Sequence, residues 1–310
     1  MQQHSIGICV LTLNAARHLP HCLPPLLNSP LNPTVLVVDS SSNDNSVELA
    51  SALGAKTAII PCASFNHGTT REWARHQLNT DIVVMVTQDA YACDKHVLNK
   101  LVAPLLEGKA ALSYARQIPH SGATLFEAFH RHFNYPPQSE LRSKQDIPHL
   151  GRQTFFCSNS FAAYRNDALD SIGGFKKVLL GEDTLACAEL IHNGYCVAYV
   201  AEALVHHSHN YGLRQEFQRH FDIGYARRQF EQVLATTRGD SDRGKTYTKA
   251  LLKELWHTSP HQIPYGCMVL LTKWVGYQLG KLCQNTPERF NQFFSAHKGF
   301  WLEKNRSERL

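Results

Sequence analysis

A chain of 310 residues with 43% hydrophobic residues can bury a sizeable core, as one large domain or one domain with an appendage, which excludes a disordered chain. A formal charge of +5 with no long Lys/Arg block argues against a nucleic-acid partner and suits a phosphate-bearing ligand or an anionic membrane surface. Nine scattered cysteines, with no C-x-x-C pair, exclude a zinc ribbon and point to a reducing compartment.

The opening MQQHSIGICVLTLN lacks a positive n-region and a small-residue cleavage site, so 6–13 reads as a core strand and not as a signal peptide. SIGICVLTL, TVLVVDS, TAIIPC and DIVVMVTQD read as four strands. Between them 46–53 and 68–78 read as helices, the first opened by an Asn/Asp/Ser-rich turn that can cap it. This alternation predicts a mostly parallel central sheet flanked by helices. After Asp89, 96–106 reads as a helix, ALSYARQI as a strand and 124–132 as a helix. The polar, proline-bearing YPPQSELRSKQDIPHLGRQ (135–153) breaks the pattern and reads as a mobile loop. TFFCSNSFAAYR returns to strand, 183–192 to helix and YCVAYV to strand. From Leu213 onward the chain is mostly helical, with Phe217, Phe221, Tyr225 and Phe230 on one apolar face. IPYGCMVLLTKWVGYQLGKL (263–282) is too broken by Lys273 and glycines for a membrane span, and fits an interfacial helix or a core helix equally.

Ligands of a parallel α/β sheet bind at the carboxyl ends of its strands. Here those ends lead into Thr12 and Asn14, into 38-VDSSSNDNS-46, into 65-FNHGTTREWAR-75 and into Gln88 and Asp89. None contains G-x-G-x-x-G, which argues against a dinucleotide site. Asp39 closes an apolar strand and can accept a hydrogen bond from the N3–H of a pyrimidine base; the alternative is that Asp39 and Asp44 make Asx turns and cap the next helix. Asn66, His67 and Gly68 read as a glycine turn opening a helix, with Arg71 as a candidate phosphate or sugar ligand and Arg75 on the surface. Arg116 and Gln117 end a strand and could meet a sugar. In 205-VHHSHNY-211, three of the four residues 206–209 are histidine, a run that fits a metal or diphosphate contact or a solvated turn. Glu182 and Asp183 open an amphipathic helix after a glycine; they read as a catalytic acid pair or as an N-cap with a first-turn acid.

The ordered set T-x-N, V-D-S-S-S-x-D, FNHG-x-T-R, TQDA, SNSFAAYR, GGF and GED resembles family-2 glycosyltransferases of the GT-A fold, and among them bacterial rhamnosyltransferases that use dTDP-L-rhamnose. The resemblance covers 6–225, with echoes in GYQLG and SAHKGFW. It implies a catalytic domain over 1–212, with a donor-binding half at about 1–118 and an acceptor-binding half at about 119–212, and a helical extension over 213–310. It implies that Thr12, Asn14, Asp39, Ser41 and Asp44 hold the nucleotide, and that Asn66, His67, Gly68, Arg71, Gln88, Arg116 and Gln117 line the donor sugar and diphosphate. Asp89 matches the last aspartate of the family's D-x-D motif, whose other positions are Thr87 and Gln88 here. With His207 or His209 it would hold a divalent cation, Mg2+ or Mn2+. Asp183 would be the base, supported by Glu182. The implied reaction is an inverting transfer of L-rhamnose to a glycan or lipid-linked saccharide at the inner face of the cytoplasmic membrane. A UDP-hexose donor and a catalytically lapsed nucleotide-sugar-binding protein are the competing expectations.

Overall fold

The computed structural model describes residues 4–236 and 240–307; residues 1–3, 237–239 and 308–310, counted above in the two terminal regions, lie outside the described residues. In chain order the elements are β1 (Ile6–Thr12), α1 (Leu19–Leu27), β2 (Thr34–Asp39), α2 (Ser46–Ala52), β3 (Lys56–Ile59), α3 (His67–Leu78), β4 (Ile82–Thr87), β5 (Tyr91–Ala92), α4 (Val97–Leu106), β6 (Leu112–Ile118), α5 (Leu125–Asn134) and β7 (Glu140–Arg142). There follow α6 (Ile147–Leu150), β8 (Phe161–Arg165), α7 (Asn166–Ser171), α8 (Glu182–His192), β9 (Val197–His206), α9 (Leu213–Gln229), α10 (Asp240–Thr258), α11 (Ile263–Leu282), α12 (Glu288–Phe294) and α13 (Lys298–Ser307).

The strands form one sheet in the order β3-β2-β1-β4-β8-β6-β9-β5, with β7 paired to β9. All of β1 is buried, because helices cover both faces of a sheet whose first four strands run parallel. Alternate residues feed two apolar layers: Ile8, Val10, Val37 and Val84 face α1, α2 and α4, whereas Cys9, Leu11, Val38 and Met85 face α3, α7 and α8. The sheet turns mixed in its second half. There β8 lies antiparallel between β4 and β6, while β9 runs parallel to β6.

Three sequence expectations need correction. Helix α1 is not predicted, because Pro24 and Pro25 obscure a run in which Leu19, Cys22, Leu23 and Leu26 keep helical spacing on the buried side. The strand expected over TFFCSNSFAAYR shrinks to Phe161–Arg165: residues Gly151–Phe155 form a 3₁₀ turn, and the polar SNS leaves the sheet for the site described below. The segment 135–153 is ordered and carries β7 and α6. Arg142, 1% exposed, anchors it by donating to the carbonyls of Gln153 and Phe156 (2.5 and 2.7 Å) and to the Tyr114 hydroxyl (2.8 Å). A buried guanidinium satisfied by carbonyls looks, in sequence, like one more polar loop residue.

The helical region packs back on the sheet through a glycine seam. A Cβ at Gly280 would lie 2.0 Å from the Phe221 carbonyl oxygen, and one at Gly224 2.1 Å from that of Tyr277, so α9 and α11 touch backbone to backbone. Phe221, Tyr225 and Phe230 of the expected apolar face are buried and Phe217 is half-buried. Trp301 of α13 is fully buried edge-on to Tyr225, ring centroids 4.9 Å apart. This return brings residues 295–298 beside the sheet's carboxyl ends.

Candidate active site

A cavity of about 710 Å³ is walled by Asp89 after β4, His207 and His209 after β9, Glu182 and Asp183 at the start of α8, and one face of α9. Ligand atoms of Asp89, His207 and His209 all lie within 4.8 Å of one another. His207 Nε2 stands 3.4 Å from Asp89 Oδ1, and His209 Nδ1 stands 3.3 Å from Asp89 Oδ2. Alternation along an extended chain turns both histidines to one side, whereas His206 turns away and bonds the Pro119 carbonyl.

A buried relay orients this cluster. Gln117 Oε1 accepts from His207 Nδ1 (2.9 Å) and from an Arg131 guanidinium nitrogen (2.6 Å), and Arg131 pairs with Glu127 at 3.4 Å. The bond at Nδ1 leaves the Nε2 lone pair free toward Asp89, the arrangement that metal-binding imidazoles need. Burial pushes the Asp89 carboxyl up, but the hydrogen bond and charge of His207, with His209, hold it well below the usual carboxylate range. Burial and then the His207 charge lower His209 to about 3, so both its ring nitrogen and the carboxylate are in ligating form at neutral pH. One carboxylate oxygen and two imidazole nitrogens are a coherent donor set for a divalent cation.

The second constellation is the acid pair. Gly181 takes φ of +84°, which turns the chain into α8 so that Glu182 and Asp183 occupy its first turn. Glu182 is buried, ion-paired with Arg71 and bonded by Asn159 Nδ2 at 3.1 Å. Burial raises its proton affinity, but Arg71 and His67 pull it net downward, so it stays ionised. Asp183 accepts the backbone N–H groups of Asn159 (3.2 Å) and Thr184 (2.7 Å). Burial, then the negative charge of Glu182, raises it to about 6. A carboxylate of that affinity is ionised at neutral pH and more basic than an exposed aspartate.

Other expected site residues hold the frame. Asp39 is fully buried and accepts from Ser42 N–H (2.7 Å), Ser42 Oγ (2.6 Å) and Thr12 Oγ1 (2.9 Å), so it knits the strand-end loops. Asn14 accepts the Asn43 N–H, Ser41 donates to the Ile60 carbonyl, and Asp44 caps Ser46, the Asx-turn alternative. Asn66 is the N-cap of α3 and clamps the Val178 carbonyl at 2.7 Å. A Cβ on Gly68 would sit 1.9 Å from the Lys176 carbonyl oxygen, which explains that glycine by close backbone approach. The Gln88 amide bonds both backbone groups of Leu13 and lines a smaller cavity of about 390 Å³ on the other side of Asp89. Gln117 stands behind His207, bonded to its Nδ1. Arg116, next to it on β6, points to the opposite side and lines neither cavity. Arg71 reaches the cavity as the partner of Glu182, and His67 reaches it edge-on to His297. Arg75 is 5% exposed and paired with Glu72 and Asp170, so it is not a surface residue.

Sequence reasoning missed Asn159, which bonds both carboxylates of the pair, and Arg131, Tyr211 and the arginines of α9. The signal for Asn159 was the polar SNS interrupting an apolar run; for the others no local pattern marks them.

The geometry agrees with what the chain resembles elsewhere. Residues 7–173 match the model of glycosyl transferase family 2. The O-antigen chain rhamnosyltransferase RfbN of Salmonella typhimurium is 36% identical over 300 residues, 96% of each chain. The O-antigen chain rhamnosyltransferase WbaN of Salmonella anatum is 37% identical over 269 residues, 86% of this chain and 85% of that one. Among solved structures, Staphylococcus aureus TarS 1–349 superposes with TM-score 0.57 at 15% identity, covering 98% of this chain and 92% of that chain. The Pyrobaculum calidifontis mannosyltransferase PcManGT, in complex with GDP-Man and Mn2+, gives TM-score 0.57 at 14% identity, covering 99% and 88%. The mixed sheet with its flanking helices is thus the GT-A fold, and the chain belongs to glycosyl transferase family 2.

Proposed function

We propose that this glycosyltransferase moves L-rhamnose from dTDP-β-L-rhamnose to a hydroxyl of an O-antigen chain or its lipid-linked precursor, with inversion. The observation that carries the proposal is one cavity holding both a base-like aspartate and a cation-type cluster. The rhamnosyltransferase names of the two relatives support the sugar, and the arginine- and lysine-bearing wall supports an anionic donor.

Asp89, His207 and His209 would hold the divalent cation, and two imidazoles beside one carboxylate favour Mn2+ over Mg2+. When bound, such an ion neutralises the charge that builds on a departing diphosphate. Asp183 takes the acceptor O–H proton as the acceptor oxygen bonds to the sugar's anomeric carbon, and the electron pair of the breaking C–O bond leaves on dTDP. Glu182, tied to Arg71, keeps a negative charge beside Asp183 and so preserves its basicity. Asn159 fixes both carboxylates. The loops after β1 and β2, framed by Asp39, would seat the nucleoside, with the donor half at about 1–118 and the acceptor half at about 119–212.

Among the described residues no helix is long and apolar enough to cross a membrane. The helical extension carries exposed apolar side chains instead: Trp256, Tyr265, Met268, Leu271, Trp274 and Phe293 are each at least 40% exposed. With Lys253 and Arg289 exposed on the same helices, these side chains fit attachment to the inner face of an anionic membrane.

The decisive assay follows release of nucleoside diphosphate from dTDP-L-rhamnose and from UDP-glucose with a polyprenyl-linked saccharide acceptor. Turnover of the rhamnose donor, lost in Asp183→Asn while donor binding persists, supports the proposal. Preference for UDP-glucose overturns the sugar assignment, and unchanged turnover in Asp183→Asn removes the base.

A further inference from the structure

Helix α9 starts directly after the histidine cluster, and its first turns line the large cavity with Arg214 and Arg219. Three other arginines at or near the cavity have carboxylate partners: Arg71 has Glu182, Arg131 has Glu127, and Arg75 has Glu72 and Asp170. Among the described residues the side chains of Arg214 and Arg219 have neither an ion pair nor a hydrogen bond. What holds Arg219 is a ring: its guanidinium carbon lies 5.8 Å from the centroid of Tyr211, and Tyr211 stacks on His209 at 4.9 Å and 12°. The stack Arg219–Tyr211–His209 therefore ends at the Asp89 cluster. Burial first, and in smaller part the Arg219 charge, lowers the proton affinities of His67 and His297 across the cavity.

A planar fork of donors, pre-oriented by a ring and lacking any protein anion, is built to receive a phosphate oxygen pair. The three cavity carboxylates do not take that role: Glu182 is ion-paired with Arg71, Asp89 faces two histidines, and Asp183 is bonded by backbone N–H groups.

We infer that Arg219, with Arg214 on the same cavity wall, binds the terminal phosphate of the nucleoside diphosphate and holds the leaving group from the α9 side. This rests on the glycosyltransferase reading and adds to it a diphosphate contact from outside the family-matched segment 7–173. Arg219 would act on the departing group, and Tyr211 would position Arg219 relative to the cation site.

The test is calorimetric titration of dTDP and dTMP, at saturating Mn2+, into the wild type, Arg219→Ala, Arg219→Lys and Arg214→Ala, with Mn2+ affinity followed separately by electron paramagnetic resonance. The expected result is dTDP binding weakened on the order of 10- to 100-fold in Arg219→Ala, dTMP binding changed by less than about threefold, partial recovery in Arg219→Lys and unchanged Mn2+ affinity. Equal losses for dTDP and dTMP, or a fall in Mn2+ affinity that accounts for the loss, would make Arg219 a prop of the stack and overturn the inference. So would undiminished dTDP binding in Arg219→Ala. A wild type that binds no nucleoside diphosphate would instead contradict the proposed function, and this inference with it.

Discussion

Glu182 and Asp183 are neighbours in the first turn of α8, yet their proton affinities move in opposite directions, down for the first and up to about 6 for the second. Glu182 is buried and Asp183 half-buried; Arg71 pairs with Glu182 and holds it ionised, and desolvation and then that charge raise Asp183. In the proposed mechanism the pair supplies one anion and one base.

The base role has a pH signature. The rate with saturating cation should rise through an acid limb near pH 6 as Asp183 loses its proton, and that limb should vanish in Asp183→Asn along with most of the activity, a loss on the order of 10²- to 10⁴-fold. A kcat/KM profile from pH 4.5 to 9 reads it directly. A flat profile in the wild type would contradict the assignment.

Stability should show the same group with the opposite sign. The folded-state affinity of Asp183 lies above that of an unfolded aspartate, so the native state holds the extra proton between about pH 4 and 6 and loses stability as pH rises through that window. Asp183→Asn should thus melt a few degrees above the wild type at pH 7.5, with the gap closing near pH 4. Thermal unfolding at the two pH values checks this, and a lower melting temperature at pH 7.5 would oppose it.

Gln117 predicts a metal effect without touching a metal. Gln117→Leu removes the acceptor at His207 Nδ1 and leaves Arg131 without its 2.6 Å partner, so Mn2+ affinity should fall about 10- to 100-fold. Paramagnetic resonance titration of Mn2+ measures it. Unaltered affinity would show that His207 is oriented by packing alone.

The glycine seam makes a packing prediction. Gly280→Ala places a methyl 2.0 Å from the Phe221 carbonyl oxygen and should cost about 2–4 kcal/mol in urea unfolding as α9 and α11 move apart. Gly244→Ala, with nothing within 4 Å, should be neutral or stabilising by up to about 1 kcal/mol.

Membrane attachment is tested by flotation with vesicles containing anionic lipid. Replacing Trp256, Trp274 and Phe293 by serine should move the protein from the floating to the soluble fraction without altering its melting curve, because all three are at least 60% exposed. Equal flotation of both proteins would remove these side chains from the account.

What was legible in the sequence had a local cause. Asp89 was visible because an apolar strand stops on it, and His207 and His209 because residues two apart in extended chain share a side. Asp183 was visible from the glycine before it and the amphipathic helix after it. The illegible part depends on distant contacts. Gln117 and His207 are 90 residues apart and Asn66 bonds a carbonyl 112 residues away, so neither the metal relay nor the structural use of N-H-G has a sequence period. Asp39 reads two ways for a related reason: a strand-end aspartate that greets a ligand and one that ties Ser42 and Thr12 look alike in sequence. Arg142 and Arg75 read as solvated residues because their partners, carbonyls in one case and carboxylates in the other, arrive only with the fold.

The central claim is a metal-dependent dTDP-sugar site built on Asp89, His207 and His209. Its most direct test is calorimetric titration of the wild type and Asp89→Ala with dTDP, UDP and GDP, each with and without Mn2+. The account predicts that dTDP binds more tightly than UDP or GDP, that Mn2+ strengthens this binding, and that the Mn2+ effect disappears in Asp89→Ala. Binding of none of the three, or dTDP binding indifferent to both Mn2+ and Asp89, would contradict it.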